Sequence, residues 1–115
     1  MLTIAIPTYE RGAVLCDTIA YLLALEPRAN EIVIVDQTPK HPSEVDERLR
    51  RYEREGAVRI IRLEKPSIPR AMNTALAAAK SAHVLFLDDD IIPARELVGA
   101  HSRAAAEAGM WAVAG

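Results

Sequence analysis

The stretch HVLFLDDD, His83 to Asp90, decides the reading of this chain. Val84, Leu85, Phe86 and Leu87 make the continuous apolar run of a strand buried on both faces of a parallel sheet. The run ends abruptly on Asp88, Asp89 and Asp90. Consecutive carboxylates repel one another, and at the mouth of an apolar strand they are not all freely solvated. A cation is expected to share that space. A hard divalent ion suits it, because Mg2+ or Mn2+ takes one or two carboxylates and completes its shell with water and substrate phosphates. Helix capping accounts for less of the cluster. Pro93 suits the first turn of a further helix and puts its cap near Ile92, within reach of Asp90 alone.

Working outward, the chain alternates between strand and helix patterns. Upstream of the acidic strand, Ser67 is an N-cap, Pro69 falls in a first turn, and Ala71 to Ala79 is strongly helical. Val58 to Leu63 reads as a third strand, preceded by a charged helix from about Glu44 to Glu55 that Gly56 stops. Glu31 to Asp36 is a second continuous apolar strand, and Leu2 to Pro7 is the first. Between these two strands, Val14, Leu15, Ile19, Leu22 and Leu23 recur at helical spacing until Pro27. Downstream, a helix is expected from Pro93 to about Ala108, with Gly109 as its C-cap. Met110 to Ala114 reads as a fifth strand.

This alternation predicts an α/β fold: a mostly parallel sheet with helices on both faces, in one domain over residues 1–115. Ligands of such sheets bind at the carboxyl ends of the strands, where strand order reverses. Polar residues converge on those ends: Thr8-Tyr9-Glu10-Arg11, Asp36-Gln37-Thr38 and Asp88-Asp89-Asp90.

Composition narrows the partners. With 14 basic and 16 acidic residues the formal charge is −2, so no phosphate-backbone binding and no polybasic membrane surface are expected. The opening Met1-Leu2-Thr3-Ile4 has no basic leader, and no apolar run approaches a bilayer span. A cytoplasmic setting is the expectation, with membrane association in the full-length protein as its variant. The single Cys16 cannot form an internal disulfide and reads as a small buried hydrophobe. The three histidines show no zinc-type spacing, and His41 sits in a proline-rich loop with no partner assigned. Arg70 in a first helical turn opposes the helix dipole, which points to a phosphate or an acid nearby. There is no G-x-G-x-x-G or Walker loop, which argues against dinucleotide dehydrogenases and P-loop enzymes.

Four segments together resemble glycosyltransferase family 2, the inverting enzymes of the GT-A (Rossmann-like) fold. Ile4 to Tyr9 is similar to the family's opening strand with its Pro-Thr-Tyr. Ile32 to Thr38 is similar to the second-strand signature, Ser67 to Asn73 to the helix start, and Leu85 to Asp90 to the metal-binding D-x-D. The resemblance implies that Pro7, Thr8, Tyr9 and Glu10 line a base and ribose pocket and that Asp36 accepts the N3–H of uracil or thymine. It implies Arg70 near the nucleotide, Asp88 and Asp89 at the ribose or the nearby helix, and Asp90 on the metal. A UDP- or dTDP-sugar is the implied donor. Gln37, Lys65, Ser67 and Met72 depart from the pattern. The family's catalytic domain is roughly twice as long, so the fold is expected to be incomplete, with the acceptor half and the catalytic base beyond Gly115. The chain alone is then expected to bind donor weakly and to transfer no sugar, and self-association through an exposed sheet edge or apolar face follows. Two rivals remain open: a degenerate nucleotide-binding or assembly module, and a phosphatase of the haloacid dehalogenase type with Asp88 as nucleophile and Asp90 as acid. The latter needs a later Lys, and none follows Asp90.

Overall fold

The structure is a computed structural model that describes residues 1–26, 28–90, 92, 97–98 and 112–114. Its strands are β1 (Leu2–Thr8), β2 (Glu31–Asp36), β3 (Arg59–Arg62), β4 (His83–Phe86) and β5 (Ala112–Ala114). Its helices are α1 (Ala13–Leu23), α2 (Ser43–Arg54) and α3 (Ile68–Ala78). Every strand pair is parallel, in the order β3-β2-β1-β4-β5. The parallel α/β architecture expected from the alternation is therefore the one formed. Of the helix expected from Pro93 to Ala108 only Leu97 and Val98 are described, both helical; the rest of it, its Gly109 cap and the stop at Pro27 lie outside the described residues.

Alternation along the strands builds two cores. Leu2, Ile4 and Ile6 of β1, Ile32 and Ile34 of β2, and Leu85 and Leu87 face one side, where Leu15, Ile19 and Leu22 of α1 and Val45 and Leu49 of α2 cover them. Ala5, Val33, Val35 and Val84 face the other side, under Ala71 and Ala75 of α3. The first face is built of large side chains, each contributing about 1.5–3 kcal/mol on full burial. The second is built of small ones, which lets α3 lie close against β1 and β2.

Strand order determines where a ligand can sit. The chain steps outward from β1 to β2 to β3, then α3 carries it back across the sheet to β4, on the far side of β1. Connections leave β1 and β4 in opposite directions, which opens a crevice at their carboxyl ends. The edge of that crevice is pinned by backbone bonds continuing past the strands: Gln37 N–H to Thr8 O at 2.9 Å, Leu63 N–H to Asp36 O at 2.9 Å and Leu87 N–H to Ala5 O at 3.0 Å.

Candidate functional site

A cleft of about 480 Å³ occupies the β1/β4 switch point. Pro7, Thr8, Tyr9 and Arg11 from β1 and its following turn, Gln37, and Leu87 to Asp89 line it. Ile68 and Met72 of α3, with Phe86, give it an apolar wall. Five of the nine residues singled out in the sequence are on its walls: Pro7, Thr8, Tyr9, Asp88 and Asp89. Glu10, Asp36, Arg70 and Asp90 lie outside them.

Thr8 and Asp36 are register partners in the β1–β2 ladder, so both side chains end up at one edge. Each is buried. The Thr8 hydroxyl donates to Asp89 Oδ2 at 2.8 Å. The Asp89 carbonyl accepts from the Thr18 hydroxyl of α1 at 2.9 Å. The middle aspartate thus ties the end of β1 and the first helix to the turn after β4. It is only 7% exposed, whereas Asp88 and Asp90 reach solvent.

Asp36, 2% exposed, has both oxygens engaged. Oδ1 accepts from the Thr38 N–H at 3.0 Å, and Oδ2 lies 2.6 Å from His41 Nε2. A carboxylate cannot donate, so the imidazole donates from Nε2. The His41 ring is itself buried, and its Nδ1 has no hydrogen-bond partner. The neighbouring turn is built to the same end. Glu10 takes a left-handed conformation, φ 53°, and its N–H donates to the Thr38 hydroxyl at 2.8 Å. A non-glycine residue in that region costs about 1–3 kcal/mol, and here the surrounding bonds hold it.

Arg11 and Gln37, polar residues at the strand ends to which the sequence assigned no role, complete the site. Arg11 pairs with Asp89 at 3.2 Å and with Asp90 at 3.8 Å, and so offsets part of the acidic cluster's charge from within the chain. Its place directly after the Pro-Thr-Tyr-Glu segment was the available signal. Gln37, a departure from the family pattern, is buried, and its side-chain oxygen accepts the Ser67 N–H at 2.5 Å. That bond fastens the capped start of α3 to the end of β2. Ser67 caps α3 as expected, its hydroxyl accepting from the Arg70 N–H at 3.4 Å. The guanidinium of Arg70 makes no ion pair among the described residues.

Among the described residues, no three His, Cys, Asp or Glu side chains are grouped to hold a metal ion. Both Asp89 oxygens are engaged, by Thr8 and Arg11, which leaves the solvent-open carboxylates of Asp88 and Asp90 as the ones that could meet a hard divalent ion. Asp90 is open to solvent beside Asp89, and an ion there would draw its remaining ligands from water and phosphate.

The sequence matches the family described as Glycosyl transferase family 2 over residues 3–113. No curated protein matches the chain. Among solved structures, S. aureus TarS 1-349 in complex with UDP superposes with a TM-score of 0.74 at 22% identity, over 92% of this chain and 32% of that one. Mannosyltransferase PcManGT from Pyrobaculum calidifontis, in complex with GDP-Man and Mn2+, gives 0.68 at 22% identity, over 83% of this chain and 29% of that one. Glucosyl-3-phosphoglycerate synthase from Mycobacterium tuberculosis gives 0.61 at 18% identity, over 86% of this chain and 37% of that one. At these identities the likeness establishes the fold, and the chain spans about a third of the length of these structures.

Proposed function

This chain belongs to glycosyl transferase family 2, and from that premise we propose that it supplies the donor-binding part of a sugar transferase. The enzyme moves a sugar from a nucleoside-diphosphate donor to an acceptor hydroxyl, with inversion and with Mn2+ or Mg2+. The observation that carries this reading is the convergence of Thr8, Asp36 and Asp89 at the switch point. They come from three separate strand ends, and all are buried beside an open cleft. Buried polar side chains at a strand's carboxyl end cost stability unless they serve a ligand or one another.

Asp36 retains acceptor capacity, since each carboxylate oxygen carries two lone pairs. It would take the imino N–H of a uracil or thymine ring, with Tyr9 and Glu10 beside the base and ribose. The diphosphate would enter the cleft between Asp88, Arg11 and the start of α3, with Arg70 near the nucleotide. Asp90 would hold the divalent ion, which neutralises the diphosphate and stabilises it as a leaving group. The known ligands of the structural relatives favour this class of donor: UDP-GlcNAc and UDP in TarS, GDP-Man with Mn2+ in PcManGT. No residue described here is assigned as the base that deprotonates the acceptor.

Calorimetry with UDP and Mn2+ tests the reading. The chain is expected to bind UDP only with the metal. Asp90→Ala is expected to weaken that binding about tenfold or more, the scale at which even outer partners of a metal ligand act. Metal-dependent binding undiminished in Asp90→Ala overturns the assignment.

A further inference from the structure

Arg11 is held by two carboxylates in unequal ways. Its Nε lies 3.2 Å from Asp89 Oδ1, and the same Asp89 side chain is fixed on its other oxygen by Thr8. Its Nη1 lies 3.8 Å from Asp90 Oδ2, beyond hydrogen-bond reach, at a side chain open to solvent. Arg11 itself is half-exposed and lines the cleft. One half-exposed guanidinium therefore faces the chain's own acids on one side and the cleft on the other. A phosphate offers a guanidinium a bidentate partner, which the single contacts made here do not.

We propose that Arg11 is an exchangeable counter-cation. In the free chain it neutralises Asp89 and Asp90. When a divalent cation takes Asp90, the guanidinium moves to the diphosphate of the bound nucleotide. The inference rests on the donor-binding reading above and adds a residue to it. Its consequence is a pair of effects with opposite signs. Removing the guanidinium frees the acids for a metal ion and also removes a ligand of the diphosphate. A residue that merely props up the turn would weaken both.

The test uses Mn2+ alone and then UDP, on the wild-type chain, Arg11→Gln and Arg11→Lys. Free Mn2+ is read by its electron paramagnetic resonance signal. Arg11→Gln is expected to bind Mn2+ about threefold more tightly, the size of a solvent-exposed ion pair. At saturating Mn2+ the same variant is expected to bind UDP about tenfold more weakly, as for loss of one charge-assisted bond. Arg11→Lys should fall between on both. Mn2+ affinity unchanged or weakened in Arg11→Gln overturns the proposal, as does UDP affinity unchanged. If the wild-type chain binds no UDP at all, the donor reading fails and the transfer to diphosphate with it. The Mn2+ measurement still decides whether Arg11 competes for the acids.

Discussion

The two ends of the sheet carry cavities of similar size, about 440 Å³ at the amino ends of the strands and about 480 Å³ at the carboxyl ends. Each has a carboxylate withdrawn from water, but the partners differ. At the amino end Glu31 accepts from the Thr3 hydroxyl at 2.9 Å and from the Lys80 N–H at 2.6 Å, and it faces Arg59 at 3.6 Å. Arg59 in turn donates to the Ala78 carbonyl at the end of α3. Those partners belong to β1, β3 and the chain that enters β4, so Glu31 joins parts of the scaffold. At the carboxyl end Asp36 is held by Thr38 and His41, and Asp89 by Arg11 as well as by Thr8 of β1; Thr38, His41 and Arg11 lie in the connections. Scaffold partners cannot leave without unfolding, whereas side chains on connections can. A cavity of similar volume is therefore a joint at one end and a receptive site at the other.

The sharpest way to break this comparison is at Glu31. Glu31→Ala should cost about 1–2 kcal/mol of stability, because it leaves the buried Thr3 hydroxyl without its partner and removes the acceptor of the Lys80 N–H. Urea unfolding measures that loss, and UDP affinity at saturating Mn2+ should stay within about twofold of wild type. A stability loss under about 1 kcal/mol, or a clear loss of UDP affinity, would make Glu31 as exchangeable as the acids opposite.

A smaller effect is expected at His41, and it sharpens the carboxyl-end half. The imidazole fixes the Asp36 carboxylate, the group proposed above to recognise the base. His41→Leu should weaken UDP about fivefold to tenfold at saturating Mn2+, the worth of one hydrogen bond to a charged group. Affinity for inorganic pyrophosphate with Mn2+ should not change, because that probe has no base. His41→Gln, which can still donate to Asp36, should restore most of the loss. Equal weakening of UDP and pyrophosphate would place His41 in general support of the loop.

What could be read from the sequence follows the same division. The strands and helices were legible because their periodicity is local, and the switch point followed from counting strand–helix units. Thr8, Asp36 and the aspartates stood out because polar residues at the ends of apolar runs are conspicuous. The roles of Gln37 and Arg11 did not, since their partners are distant in sequence, and His41 did not because its loop has no periodicity to show what it meets. His41 meets Asp36 only after the loop folds back, and Gln37 reaches 30 residues ahead to Ser67. Arg11 meets acids contributed by the far side of the sheet. Nothing in the spacing announces such contacts. A divalent ion was expected at the acidic cluster, and Mn2+ is present in one structural relative, PcManGT; the chain's own Arg11 beside Asp89 and Asp90 was not foreseen.

The smallest effect concerns Cys16, and it asks whether the carboxyl-end side chains can exchange without the helix beneath them opening. Cys16 is fully buried in α1, two residues before Thr18, whose hydroxyl holds the Asp89 carbonyl. Burial pushes its thiol pKa up from the ordinary value; Arg48 pulls it down and Asp17 adds to the rise. A raised pKa in the folded state stabilises the fold below the unfolded thiol's value, and that contribution is lost as pH rises through the folded value. At pH 8 the folded thiol therefore stays neutral and shielded, and a disulfide reagent should reach it only through unfolding. The labelling rate should climb with urea in step with the unfolded population. Saturating UDP with Mn2+ should slow it by no more than the ligand's stabilisation of the whole domain. Rapid labelling that ignores urea would mean that the first turns of α1 open together with the acidic turn. The boundary between exchangeable side chains and fixed scaffold would then run through α1, beneath the cleft, rather than along the connections above it.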